Sequence, residues 1–198
     1  MEADLDLSDA ALTFTQLGWS KMPGTPGTAQ VRVMLDGEKV TGVPEFSIAA
    51  GDMVTQGSVT TDPATGALQR IDLDRLVYGR TDVKGALIPG RDGGWTVTAH
   101  GTSFDFAPMF GDMFSLRSEP DSATVEPAGP DLSFSVDLDH LWIGDEQGIS
   151  NVKGTLARTE GRWRAAKVSG TVGEGKALEV LLEPGPDGDR LLTIYGAD

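Results

Sequence analysis

At 198 residues the chain is long enough for one large domain or two small ones with a real core. Thirty acidic against sixteen basic side chains leave a formal charge of −14, which disfavours nucleic acid and an anionic membrane surface as partners. The absence of cysteine excludes disulfides and thiolate metal sites, while 26 glycines and 11 prolines beside 39% hydrophobic residues suit a chain of frequent turns.

The first residues alternate at once. Leu5 and Leu7 stand against Asp4 and Asp6, and Leu12 and Phe14 against Thr13 and Thr15, the period of a half-buried strand. Leu17-Gly18-Trp19 leads into Pro23-Gly24-Thr25-Pro26-Gly27, which is excluded from a strand interior. Val31, Val33 and Leu35 predict the next strand, closed by the hairpin signal Asp36-Gly37. Phe46 and Ile48, a turn at Ala50-Gly51-Asp52, a strand from Val54 to Val59 and the turn Asp62-Pro63-Ala64-Thr65-Gly66 follow.

A nine-residue phrase then occurs twice. Ile71-Asp72-Leu73-Asp74-Arg75-Leu76-Val77-Tyr78-Gly79 returns 65 residues later as Val136-Asp137-Leu138-Asp139-His140-Leu141-Trp142-Ile143-Gly144. In both copies the apolar alternation slips by one place, as a β-bulge would make it slip. The echo continues from Val83-Lys84-Gly85 to Val152-Lys153-Gly154, from Gly94-Trp95 to Arg162-Trp163 and from His100-Gly101 to Ser169-Gly170. Gly51 to Gly57 and Gly79 to Gly85 share a spacing in which a turn glycine precedes a strand glycine, a place where a sheet bends. Self-similarity of this kind argues for a sheet extended by adding strands, not for an enzyme built around one site.

One helix is predicted, over 105–115, because Phe106, Met109, Phe110, Met113 and Phe114 fall at i, i+3, i+4, i+7 and i+8 behind Pro108. Its Phe/Met stripe reads first as a cover for the open end of a sheet, and secondly as adaptable surface for acyl chains. The expected fold is therefore all-β: an extended, curved antiparallel sheet of repeated β-hairpin units with one short helix. A first repeat region spans 1–117, a proline-rich linker or loop 118–130, and a second repeat region 131–198 continues the same sheet.

No motif carries catalysis. Gly170-Thr171-Val172-Gly173-Glu174-Gly175-Lys176 has phosphate-loop spacing but continues with Ala177 where a magnesium-binding hydroxyl is needed, and reads as a glycine-rich turn. Asp4-x-Asp6-x-Ser8 opens like a calcium loop but has Asp9 where glycine and Thr15 where glutamate are required. His100 and His140 cannot by themselves build a metal site, and His140, at the expected bulge, is placed near solvent. No enzyme activity, no metal and no cofactor are expected.

The phrases Asp62-Pro63-Ala64-Thr65-Gly66, Ile71 to Leu76 and Gly79 to Gly85 resemble repeats of the AsmA-like proteins of Gram-negative envelopes, including the YhdP and TamB branches. Leu191-Leu192-Thr193-Ile194-Tyr195-Gly196-Ala197-Asp198 is similar to the strand that leads into a next unit there. The resemblance implies a periplasmic β-groove that accommodates or transfers phospholipid between inner and outer membranes. It also implies attachment to the inner membrane through a segment not in this chain, and contacts with other parts of a longer chain at the sheet edges. It carries no catalytic residues. The opening Met1-Glu2-Ala3-Asp4-Leu5-Asp6 has neither the basic start nor the apolar run of a signal peptide, and no 18-residue apolar stretch exists, so the chain itself is expected to be soluble. The alternative expectation is a structural or protein-binding scaffold whose apolar face is a closed core.

Overall fold

The computed structural model describes residues 1–37, 39–90, 92–109, 130–185 and 189–196, Gln16 without its side chain. Fourteen strands are described: β1 (Glu2–Asp6), β2 (Leu12–Phe14), β3 (Trp19–Lys21), β4 (Gly27–Asp36), β5 (Lys39–Ala50), β6 (Met53–Thr61), β7 (Leu68–Tyr78), β8 (Thr81–Pro89), β9 (Trp95–Asp105), β10 (Leu132–Trp142), β11 (Gly148–Thr159), β12 (Arg162–Val172), β13 (Lys176–Pro184) and β14 (Arg190–Gly196). A single 3-10 turn, Thr15–Leu17, joins the small β2–β3 hairpin. The other twelve strands form one sheet in the order β1-β4-β5-β6-β7-β8-β9-β10-β11-β12-β13-β14, open at both ends. The all-β, extended sheet is the one the alternation predicts, and its neighbours in space are almost all neighbours in sequence.

One joint differs from expectation. β10 runs parallel to β9, with Phe134 opposite Val97 and Leu138 opposite Gly101, whereas every other joint is antiparallel. A parallel neighbour requires a crossover in place of a hairpin. The chain enters that crossover at Phe106, whose amide donates to the Trp142 carbonyl at 2.9 Å, and residues 107–109 begin a helical turn. The remainder of the predicted helix and nearly all of the 118–130 linker lie outside the described residues. Because β9 and β10 share one continuous register, the two repeat regions belong to the same sheet.

The predicted bulge forms in the first copy. Opposite β6 the register shifts between Gln56 and Gly57, leaving Asp74 as the extra residue, and opposite β8 Asp74 and Arg75 together face the single Lys84. In the second copy β10 keeps one register with both neighbours, pairing Leu138 with Val152 and His140 with Ser150. The irregularity falls instead on β11: Asn151 takes φ +52°, and the register against β12 shifts between Ser150 and Lys153. His140 is half-buried. Its ring lies 4.1 Å from that of Trp142, Nδ1 is 3.2 Å from Ser150 Oγ, and Nε2 is buried.

The strand glycines mark the bend, as their spacing predicts. A Cβ built at Gly57 would fall on the Asp72 carbonyl oxygen, and one at Gly85 on the Thr98 carbonyl oxygen. Neighbouring backbones approach so closely there that only glycine fits.

Candidate functional site

Directly opposed residues in a sheet point to the same face, so the register itself assembles the site. Following it strand by strand from β4 to β14, Val31, Phe46, Gly57, Leu73, Gly85, Ala99, Val136, Gly154, Val168, Val180 and Ile194 form one row without a polar side chain. A second row runs beside it through Val43, Val59, Ile71, Leu87, Val97, Phe134, Leu156, Ala166, Leu182 and Leu192. At about 4.8 Å per strand, the first row crosses eleven strands and the second ten, about 48 and 43 Å, each more than the ~30 Å hydrocarbon core of a bilayer. Most of these side chains are half-buried; from β10 to β13 Phe134, Val136, Leu156 and Val168 pack against the core cluster that includes Ala166 and Leu182.

The opposite face is polar. Across it Arg32 meets Glu45 at 2.8 Å, Asp137 meets Lys153 at 3.2 Å, and Gln30 donates to Asp4 at 2.9 Å. These exposed pairs each contribute at most about 1 kcal/mol and serve chiefly to keep that face wet. An open depression of about 420 Å³ lies on this side at the bend, lined by Asp74, Arg75, Asp82, Lys84, His100, Asp137 and Asp139 among others. Its mixed charges suit water, not an apolar ligand. No group of histidines and acids that could hold a metal ion occurs among the described residues. Gly173 to Gly175 form the hairpin turn between β12 and β13, so Lys176 begins a strand and no helix N-terminus is available for a phosphate. Asp4 and Asp6 belong to β1, as alternating wet-face residues should.

Two covers close one end of the apolar face. Phe106 is 8% exposed, packed with Val83, Leu138, Leu141, Val152 and Trp163, and Met109 packs against the same cluster. These two members of the predicted stripe thus serve as a lid over the sheet; Phe110, Met113 and Phe114 lie outside the described residues. The second cover is the β2–β3 hairpin, where Trp19, with Leu12 and Leu17, packs on Ala50, Met53 and Tyr78. The covers meet where Gly18, in a left-handed conformation, faces the Pro108 ring.

Polar contacts fix both covers. Lys21 is 3% exposed, and its ammonium donates to the carbonyls of Leu7 (2.8 Å), Ser8 (3.2 Å), Ala10 (2.9 Å) and Met22 (3.3 Å). The Trp19 indole donates to Asp52 at 2.8 Å, and the other Asp52 oxygen accepts from the Gly79 amide at 3.1 Å. The indole bond first, and the amide after it, hold the Asp52 carboxyl below its ordinary range. At the parallel joint, Arg80 donates to Asp105 through Nε and Nη2, at 3.0 and 2.8 Å. Its Nη1 donates to the carbonyls of Gly144 and Asp145, and the guanidinium lies 4.8 Å from the Trp142 ring. Asp105 also caps the helical turn by accepting from the Ala107 amide. Sequence reasoning missed Lys21, Asp52 and Arg80 as organising residues. Only the positions of Asp52 and Arg80 directly after the turn glycines Gly51 and Gly79 hinted at two of them.

Searches against family models, curated proteins and solved structures find no match to this chain.

Proposed function

We propose that the protein is a non-enzymatic β-groove that accommodates phospholipid acyl chains along its apolar face, in the manner of an AsmA-like envelope protein. The observation that carries this reading is the unbroken apolar row from Val31 to Ile194, half-buried over most of its length. Each methylene an acyl chain places against such a surface gains about 0.8 kcal/mol, and no charged contact is needed. A headgroup would remain at the trough's margin in water. In that setting the protein would work in the periplasm, between the two membranes. No helix among the described residues is long and apolar enough to cross a membrane.

The test is direct. Delipidated protein is incubated with phosphatidylethanolamine and phosphatidylglycerol liposomes, re-isolated and extracted for mass spectrometry. The proposal expects phospholipid to be recovered with the protein. It also expects that Leu73→Glu and Ala99→Glu, each placing a carboxylate in the row, reduce recovery about tenfold or more, since an unpaired buried charge is costly. Absence of lipid from the parent protein, or recovery from both variants equal to the parent's, refutes it.

A second reading, a scaffold with a packed core, is favoured by one observation: Phe106, Met109 and Trp19 fill one end of the face with the protein's own side chains. Where those covers lie, the face is a core; the trough is what extends beyond them.

A further inference from the structure

A third row runs beside the first, on the side of the covers, from Ala29 on β4 through Ile48, Thr55, Leu76 and Val83 to Val152 on β11. Thr55 is its one polar member, and the Thr55 Oγ1 is buried without a hydrogen-bond partner. This row is shut in. The Phe106 cluster closes its far half, where Val152 is 0% exposed. Residues 8–25 close the near half, where Ile48 and Leu76 pack on the Trp19 cluster.

The two covers are held differently. Phe106 interlocks with side chains from β8, β10, β11 and β12. Residues 8–25, by contrast, leave and rejoin the sheet at one rung: β1 pairs with β4, and the Leu7 amide donates to the Gly27 carbonyl at 2.8 Å. Between those roots the segment bonds to itself, through the β2–β3 ladder, the Gly24 amide on the Ser8 carbonyl, and Lys21. Among the described residues, its one hydrogen bond beyond β1, β4 and their adjoining residues is that of the Trp19 indole to Asp52. A compact loop with its ends together and a single latch can move as a body. The stranded Thr55 hydroxyl penalises the shut state, and opening would let water relieve it. We propose that residues 8–25 are a lid, latched by Trp19 on Asp52, that swings about Leu7 and Gly27. Open, it adds Ile48, Thr55 and Leu76 to the width of the trough and admits an acyl chain there. The acyl chain rests on the groove reading above; the swing of the lid does not.

The chain has no cysteine, so Thr55→Cys and Val152→Cys each carry a single thiol, one beneath the lid and one beneath the other cover. Alkylation by iodoacetamide, read by mass spectrometry, is expected to be about tenfold or more faster at Thr55→Cys, because local opening is easier than global unfolding. Trp19→Phe and Asp52→Ala remove the latch from its two sides. Each is expected to speed alkylation of Thr55→Cys about fivefold, the pair together no more than either alone, since both delete one bond. Val152→Cys should keep its rate in both backgrounds. Equal rates at the two thiols, or latch variants that leave the Thr55→Cys rate unchanged, overturn the lid. In the liposome experiment, Asp52→Ala without any added thiol is expected to load phospholipid about threefold or more faster than the parent. Equal loading rates overturn the lid's part in admitting lipid. A parent that recovers no lipid refutes the groove reading, and the alkylation rates, measured without lipid, still decide whether the lid opens.

Discussion

The two copies of the repeated phrase begin alike and settle differently. β7 lies between two antiparallel neighbours and absorbs its slip as a bulge at Asp74. β10 has a parallel neighbour on one side, keeps its register, and passes the irregularity to Asn151 on the next strand. Bulges are common in antiparallel pairs and rare in parallel ones, because the evenly spaced slanted bonds of a parallel ladder do not tolerate an extra residue. The same nine-residue pattern therefore specifies that the sheet must bend, and the neighbouring strand decides which chain accommodates the bend. The surroundings diverge as well: Trp163 is buried beside Phe134 and Phe106 at 5.8 and 6.5 Å, while its counterpart Trp95 is only half-buried.

That contrast can be broken at four points. The largest effect is expected at the tryptophans: Trp163→Ala should cost about 3–5 kcal/mol in denaturant unfolding, and Trp95→Ala about half as much. Equal losses would mean that the second copy is no better packed than the first. Next are the bend glycines. Gly85→Ala should cost about 3 kcal/mol because its Cβ meets a carbonyl oxygen head-on. Gly154→Ala, whose Cβ would stand 2.8 Å from the Lys167 carbonyl, should cost about 1–2 kcal/mol. Reversal of that order would remove the bend from the first copy.

Arg80→Ala should then cost about 1–2 kcal/mol, discounted for its partial exposure, and loosen the joint between the copies. The equivalent place in the second copy is Asp145, whose side chain takes no part in that cluster, so Asp145→Ala should be near neutral.

The smallest effect is a pH dependence confined to the first copy. Gly79 donates to the Asp52 carboxylate, whereas Gly144 donates to the Gln147 carbonyl. Since folding lowers the Asp52 pKa, its contribution is fully present above the ordinary value of 3.8 and is lost as pH falls through the folded value. Asp52→Asn should flatten that acid limb in urea titrations at successive pH values. Unchanged acid sensitivity would assign the limb to other carboxylates.

Much of this was legible in the residues. Period-two alternation and turn glycines placed the strands, because each signal is local. The bulge at Asp74 was legible for the same reason. The parallel joint was not, since nothing in Ile71–Gly79 or Val136–Gly144 records which strand lies alongside. The Phe/Met stripe was visible, but that Phe106 and Met109 pack on the core cluster depends on where the crossover starts. The Lys21 cluster had no signature at all: four backbone carbonyls converge on one ammonium through loop geometry, and loops write no periodic pattern.

That ammonium sets how the molecule comes apart. Residues 7–26 touch the main sheet largely through the Trp19 cluster, and the carbonyls that Lys21 gathers are their own, so this stretch can detach as a unit while the twelve-stranded ladder stays intact. Deuterium should enter its amides well before those of β10–β12. With Lys21→Met, which strands four acceptors, that difference in exchange should widen while the global melting temperature moves little.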